Sequence, residues 1–212
     1  MKDIAIYGAG GFGREIACLI RQINKENPVW NIVGFFDDNP ALQGTNNEYG
    51  KIIGGIDSLN QYDKGLAVAI AIGNPSIVRR IVDRITNEKI YFPNLVAPDV
   101  VFMDDENCSL GRGNIICSKC WISCNVHLGD FNILNVGITV GHDAQLGSFN
   151  TLMPSVSISG EVFVGEENFF GVASVVLQQK KIGNKTVIGG NSMVIKNTKD
   201  GRTYFGNPAN AL

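Results

Sequence analysis

From Leu110 to Val194 an apolar residue recurs at every sixth position. The series is Leu110, Ile116, Ile122, Leu128, Leu134, Val140, Leu146, Leu152, Ile158, Val164, Phe170, Val176, Ile182, Ile188 and Val194. With roughly 45% of positions apolar in an average chain, so long a run does not arise by chance. The next position is small: Gly at 111, 129, 141, 147, 165, 171, 183 and 189, and Cys117, Ser123 and Ser159. A period of six matches neither the 3.6 of a helix nor the 2 of a strand. It predicts a hexapeptide β-helix, each unit a short flat strand plus a corner, with three units closing a triangular coil. The aliphatic residue points into the prism and stacks on its equivalents in coils about 4.8 Å away. Small residues and Asn suit the corners, where left-handed conformations or tight packing are needed. The stretch Leu110–Lys199 accommodates five coils.

Before Pro93 the pattern differs. Ile4–Tyr7 is a short apolar strand that runs into a Gly-rich turn. Ile16, Leu19, Ile20 and Ile23 then share one helical face. Asn31–Phe36 reads as a second strand, closed by Asp37-Asp38-Asn39-Pro40. Ala67–Ile72 is wholly apolar, as a strand buried in a parallel sheet would be. Asn74-Pro75 supplies an N-cap and a first helical residue, and Ile77, Val78, Ile81, Val82 and Ile85 continue that helix. The predicted organisation is an α/β unit over residues 1–93 and a β-helix with a short tail over residues 94–212.

Composition narrows the classes. Glycine makes up 25 of 212 residues and charged residues only 18%, with 44% hydrophobic. Disorder and long coiled coils are excluded. A net charge of −2 argues against a nucleic-acid partner. No apolar run has the length of a membrane span, and Met1-Lys2-Asp3 leads into a strand rather than a signal peptide. Five cysteines, an odd number, disfavour a disulfide framework. The expectation is a cytoplasmic protein with free thiols.

Three features carry chemistry. Gly8, Gly10 and Gly13 form G-x-G-x-x-G between a strand and a helix, the arrangement that cradles a phosphate on backbone N–H groups. A dinucleotide would need two mononucleotide halves and this unit has one, so a nucleotide diphosphate fits better; the bare alternative is a tight turn. His142 is one of two histidines, and lies two places after an inward residue, at a strand side or corner. It is either a base near neutral pH or a solvent-facing corner residue. Charge is also uneven: Lys180, Lys181, Lys185, Lys196, Lys199 and Arg202 crowd the last coils. This end either attracts a polyanion or is an ordinary solvated edge. Cys117, Cys120 and Cys124 offer one C-x-x-C only, and no metal site is expected. His127 is read as structural or exposed.

The repeat resembles the [LIV]-[GAS]-x-x-[small]-x signature of hexapeptide acyltransferases. With Tyr7-Gly8-Ala9-Gly10-Gly11-Phe12-Gly13, Phe36-Asp37-Asp38, Ala71-Ile72-Gly73-Asn74, Val140-Gly141-His142-Asp143 and Gly206-Asn207-Pro208-Ala209, the whole chain is similar to bacterial sugar acetyltransferases. The group in question acts on sialic-acid hydroxyls or on amines of nucleotide amino sugars such as bacillosamine precursors. That resemblance implies a left-handed parallel β-helix behind a half-Rossmann-like nucleotide-binding domain. It implies acetyl-CoA as co-substrate, a homotrimer with sites between neighbouring prisms, and polysaccharide biosynthesis. It gives His142 the role of general base and Asp143 that of orienting it, although many relatives carry Glu there. It places the nucleotide sugar on Gly10, Gly11, Phe12, Asp37, Asp38 and Gly73, and acetyl-CoA on Thr151, Val172 and Gly190. Relatives have a second His where this chain has Thr151. The expected reaction is direct N-acetylation of a nucleotide-linked amino sugar. O-acetylation of a sialic acid, a non-catalytic nucleotide-binding scaffold and a nicotinamide-dependent oxidoreductase are the alternatives.

Overall fold

The computed structural model describes residues 1–212. The chain begins with a six-stranded sheet: β1 (Lys2–Tyr7), β2 (Trp30–Phe36), β3 (Asn46–Asn47), β4 (Gly50–Gly54), β5 (Leu66–Ile70) and β6 (Ile90–Tyr91). Its order is β3-β4-β2-β1-β5-β6, parallel except for the β3/β4 hairpin. Helices α1 (Gly11–Glu26), α2 (Ile56–Asn60) and α3 (Pro75–Arg84) connect the strands. β5 is buried throughout, which explains its unbroken apolar run. Asn74 caps α3 by accepting from the N–H groups of Ser76 and Ile77, with Pro75 in the first turn.

The remainder is a parallel β-helix of two-residue strands on three walls. The first wall runs from Leu95–Val96 through Ile115–Ile116, Ile133–Leu134, Thr151–Leu152, Phe169–Phe170 and Val187–Ile188 to Thr203–Phe205. The second runs from Val101–Phe102 to Met193–Val194, and the third from Ser109–Leu110 to Lys181–Ile182. The second residue of each strand faces inward, and every member of the six-residue series except Leu110 is buried. Each such side chain contributes about 1.5–3 kcal/mol by burial. The prism starts one partial coil earlier than the series. Ile122 pairs with Phe102, 20 residues away, whereas Leu128 pairs with Leu110, 18 away. Two additional residues between Phe102 and Leu110 break the count of six there.

Glycine and the left-handed corners are separate devices. Positive φ occurs every sixth residue from 113 to 191, yet only Gly113 and Gly137 are glycines; Asn125, Asp143, Glu161 and Gln179 are among the others. The frequent glycines lie two residues earlier, without positive φ. There a β-carbon would press into the next coil: at Gly111 it would stand 2.7 Å from the Gly129 carbonyl carbon, and at Gly129 2.8 Å from that of Gly147. They serve coil stacking rather than corner geometry.

The α/β domain packs onto the first wall. Leu95, Ala97, Ile115 and Ile133 share one apolar cluster with Ile16, Leu19 and Ile20 of α1. Phe131 and Phe149 join Val78 and Ile81 of α3 in another.

Candidate active site

The Gly-rich turn follows β1, at the carboxyl ends of the strands between the two neighbours of β1, where parallel sheets bind ligands. Gly8 has φ +108°, and a β-carbon there would stand 2.7 Å from the Ala71 carbonyl oxygen. At Gly13 a β-carbon would run into the Gly8 carbonyl, so this glycine lets α1 approach the turn. Gly10 and Gly11 face open space, and α1 has no side-chain cap. The N–H groups of Gly11, Phe12 and Gly13 consequently have no acceptor, as an anion cradle requires.

Asp37 and Asp38 stand beside this turn with their oxygens engaged by protein donors. Asp37 accepts from Ala9 N–H and Asn39 N–H, both at 2.9 Å. Asp38 accepts from the Tyr7 hydroxyl at 2.7 Å, Ile56 N–H at 2.9 Å and Arg84 at 2.9 Å. Burial pushes the Asp38 carboxyl up, but these donors outweigh it and hold it below the ordinary value. The same burial, with Asp38 beside it, drives the Tyr7 phenol well above its ordinary value.

Between α1 and the first wall lies a cleft of about 840 Å³. Gly11, Phe12 and Gly73 line it from the α/β domain, and Asn135 and Thr151 from the prism. It thus unites three residues expected at the nucleotide sugar with one expected at acetyl-CoA. Asn135 went unnoticed in the sequence, because its place in the cleft depends on how the domains dock. Cys117 also lines the cleft, and burial pushes its thiol up to about 12; Cys120 is buried inside the prism and Cys124 is exposed.

His142 is not on this cleft. It sits at the corner after the second-wall strand Thr139–Val140, half exposed. Its Nδ1 lies 2.8 Å from Asp143 Oδ2, so the shorter acid reaches the ring. Adjacent residues would point oppositely along a strand, but Asp143 has φ 58°, and the left-handed turn brings its carboxylate back. Asp143 Oδ1 accepts from Asn125 Nδ2 at 2.7 Å. Asn125 first, then His142, holds the Asp143 carboxyl below its ordinary value. Beneath the ring lies Gly160, whose N–H has no acceptor. Val172 and Gly190 occupy another corner on successive coils; a β-carbon at Gly190 would be 3.3 Å from Val172 O. His127 is exposed, with Nδ1 2.7 Å from Ser109 Oγ.

Residues 3–85 match the family model described as the PglD N-terminal domain. A search of curated protein sequences gives no match. Among solved structures, the acetyltransferase domain of PglB from Neisseria gonorrhoeae in complex with acetyl coenzyme A is 29% identical, with a TM-score of 0.88 over 100% of this chain and 99% of that one. PerB from Caulobacter crescentus, in complex with CoA and GDP-perosamine, is 25% identical, with a TM-score of 0.86 over 100% and 98%. WeeI from Acinetobacter baumannii shares the fold at 24% identity, with a TM-score of 0.88 over the full length of both chains. These likenesses bear out the resemblance read from the sequence, to bacterial sugar acetyltransferases with an α/β domain before a hexapeptide β-helix. They support an acetyl-CoA-dependent acetyltransferase.

Proposed function

We propose that this chain transfers the acetyl group of acetyl-CoA to the amine of a nucleotide-linked amino sugar, with His142 as general base. The observation that carries this reading is the His142–Asp143 pair. Asp143 at 2.8 Å from Nδ1 favours the tautomer that leaves Nε2 unprotonated. The substrate amine attacks the thioester carbonyl as Nε2 takes its proton. The N–H of Gly160, free beside the ring, is placed to donate to the oxyanion. Collapse breaks the C–S bond, and the sulfur leaves with the proton from the imidazolium. Asp143 remains ionised and steadies the charged ring.

The unbonded N–H groups of Gly11 and Phe12 are suited to the sugar nucleotide's diphosphate, with Gly10 and Gly73 leaving room for it. Asp37 and Asp38 shape that turn. Acetyl-CoA is the co-substrate, with Thr151, Val172 and Gly190 along its course. Lys196 is on the same corner column as His142, three coils further, which suits an anionic cofactor tail.

Since His142 lies off the cleft that holds Gly11, Phe12 and Gly73, one chain does not assemble the whole site. A homotrimer, in which the cleft of one prism faces His142 of the next, would complete it. Exposed apolar side chains on the second wall and its corners, Trp121 and Val172 among them, support such burial. A cytoplasmic enzyme feeding polysaccharide assembly fits this reading; no helix is long and apolar enough to cross a membrane.

The test is acetyl-CoA turnover against UDP-, dTDP- and GDP-linked amino sugars, with sialic acids included, for the native chain and His142→Ala. Loss of at least about 100-fold in kcat is expected for the variant. Unchanged transfer would overturn the role of His142, turnover confined to sialic acids would overturn N-acetylation, and a fully active monomer in light scattering would overturn the trimer.

A further inference from the structure

The left-handed corner positions after the second wall form a polar column: Asn125, Asp143, Glu161 and Gln179, each one coil below the last. The middle two are acids on successive coils, about 4.8 Å apart by strand spacing. The outer two are amides, and each donates to the acid next to it. Asn125 Nδ2 is 2.7 Å from Asp143 Oδ1. Gln179 Nε2 is 3.3 Å from both oxygens of Glu161. Each acid is thereby drawn toward its own amide and away from the other acid.

This matters at Asp143 because nothing else fixes its side chain. Its carboxylate is half exposed, and its contacts are Asn125 on one oxygen and His142 on the other. A short carboxylate on an exposed corner has several staggered orientations open to it. Only one that directs Oδ2 at the Nδ1 of the preceding residue orients the imidazole. We propose that Asn125 is a positioning residue for the active site: by holding Oδ1 of Asp143 it directs Oδ2 to His142 Nδ1 and so selects the tautomer of the ring.

The residue type suits the task. Asn tolerates the left-handed backbone that residue 125 adopts, with φ 55°. Its amide donates without adding charge. A Lys there would also donate, but it would compete with the imidazolium for the carboxylate. An acid would repel Asp143 and leave the column with three successive like charges. Asn125 makes no hydrogen bond to the ring and does not line the cleft, so it acts through Asp143.

The inference rests on the proposed role of His142, and its test is chosen to separate the two. In ¹⁵N-labelled native protein at neutral pH, the ring shifts of His142 are expected to report the Nδ1–H form as the dominant neutral tautomer. Asn125→Gly removes the amide while keeping the left-handed backbone accessible. Asn125→Asp keeps size and backbone preference but replaces the donor with an acceptor. In both, the Nδ1–H preference is expected to collapse toward the Nε2–H form that an unconstrained histidine side chain favours. kcat is expected to fall about 10-fold, a typical cost for a base out of position, with KM for both substrates unchanged. An unchanged tautomer in both variants overturns the proposal. A collapsed tautomer with undiminished kcat upholds the positioning and overturns the base.

Discussion

Gly160 lies directly beneath the ring of His142: a β-carbon at residue 160 would stand 2.6 Å from Nε2 and 2.7 Å from Cε1. The glycine is demanded by this close approach and not by its backbone, whose φ is not in the left-handed region. Gly160→Ala therefore displaces the imidazole without straining the chain. The expected result is a fall in kcat of about 100-fold, the scale of an ångström-level misplacement. Thermal unfolding should shift little. Steady-state kinetics and a melting curve on the same preparation check both halves.

Arg79 of α3 ties the two domains together. It pairs with Glu166 and, through Nε at 2.7 Å, with Glu167, while its guanidinium lies 4.2 Å from the centre of the Phe149 ring. Phe149 stacks on Phe131, so the arginine closes a column of prism aromatics. The pair is only partly exposed, so its worth lies between those of surface and buried bridges. Arg79→Ala is expected to cost about 2 kcal/mol in urea unfolding. Arg79→Lys should recover less than half, since a lysine cannot span two carboxylates and stack as well. A cost below about 0.5 kcal/mol for Arg79→Ala would show that the domains are held by their apolar contacts alone.

The repeat was legible because each strand exposes one inward residue to a dry prism, and that demand recurs with a fixed period. Legibility failed where the period failed, between Phe102 and Leu110, so the first strands at Leu95 and Val101 were missed. The β3/β4 hairpin and α2 were missed for a different reason. They are short, and Asn46 to Gly54 carries no apolar run to announce them. At the site, the adjacency of His142 and Asp143 was visible in the sequence, but their contact depends on the φ of 58° at Asp143. Asn125 stands 18 residues before Asp143, one coil exactly in register, and could have been found by subtracting that length. The cleft could not, because it forms only where α1 meets the first wall.

Tyr7 and Asp38 give the fold around the Gly-rich turn a pH dependence. The donors around Asp38 outweigh its burial and hold its folded value below the ordinary carboxylate value. A depressed acid stabilises the fold above its unfolded value and loses that contribution as pH falls through the folded one. Tyr7→Phe removes one donor without leaving a buried hydroxyl unpaired. It is expected to cost about 1 kcal/mol at pH 7, the worth of a hydrogen bond to a half-exposed carboxylate. Its acid-unfolding midpoint should move to higher pH. A circular-dichroism titration in which both proteins unfold at the same pH would refute the coupling.

Inside the remaining corner the prism is pinned by a ladder of asparagines. Asn94, Asn114, Asn132, Asn150 and Asn168 each offer Oδ1 to the N–H of the residue one coil further, at 2.7–3.0 Å, ending at Thr186. Asn150 is wholly buried, and its Nδ2 also reaches Asn132 Oδ1 at 3.0 Å and the Gly165 carbonyl at 3.0 Å. Asn150→Ala would orphan the N–H and the Nδ2 of Asn168, a residue that is itself wholly buried. Each buried orphan costs about 1–3 kcal/mol, so a loss of about 3 kcal/mol is expected in urea unfolding. By contrast Asn31→Ala, at an exposed site, should stay within about 0.5 kcal/mol. The rungs share partners, so Asn150→Ala and Asn168→Ala together should cost less than the sum of the two singles, by about 1 kcal/mol. Strict additivity would mean that the rungs act independently, and a loss below about 0.5 kcal/mol for Asn150→Ala would mean that the prism wall is held by its apolar stack rather than by this ladder.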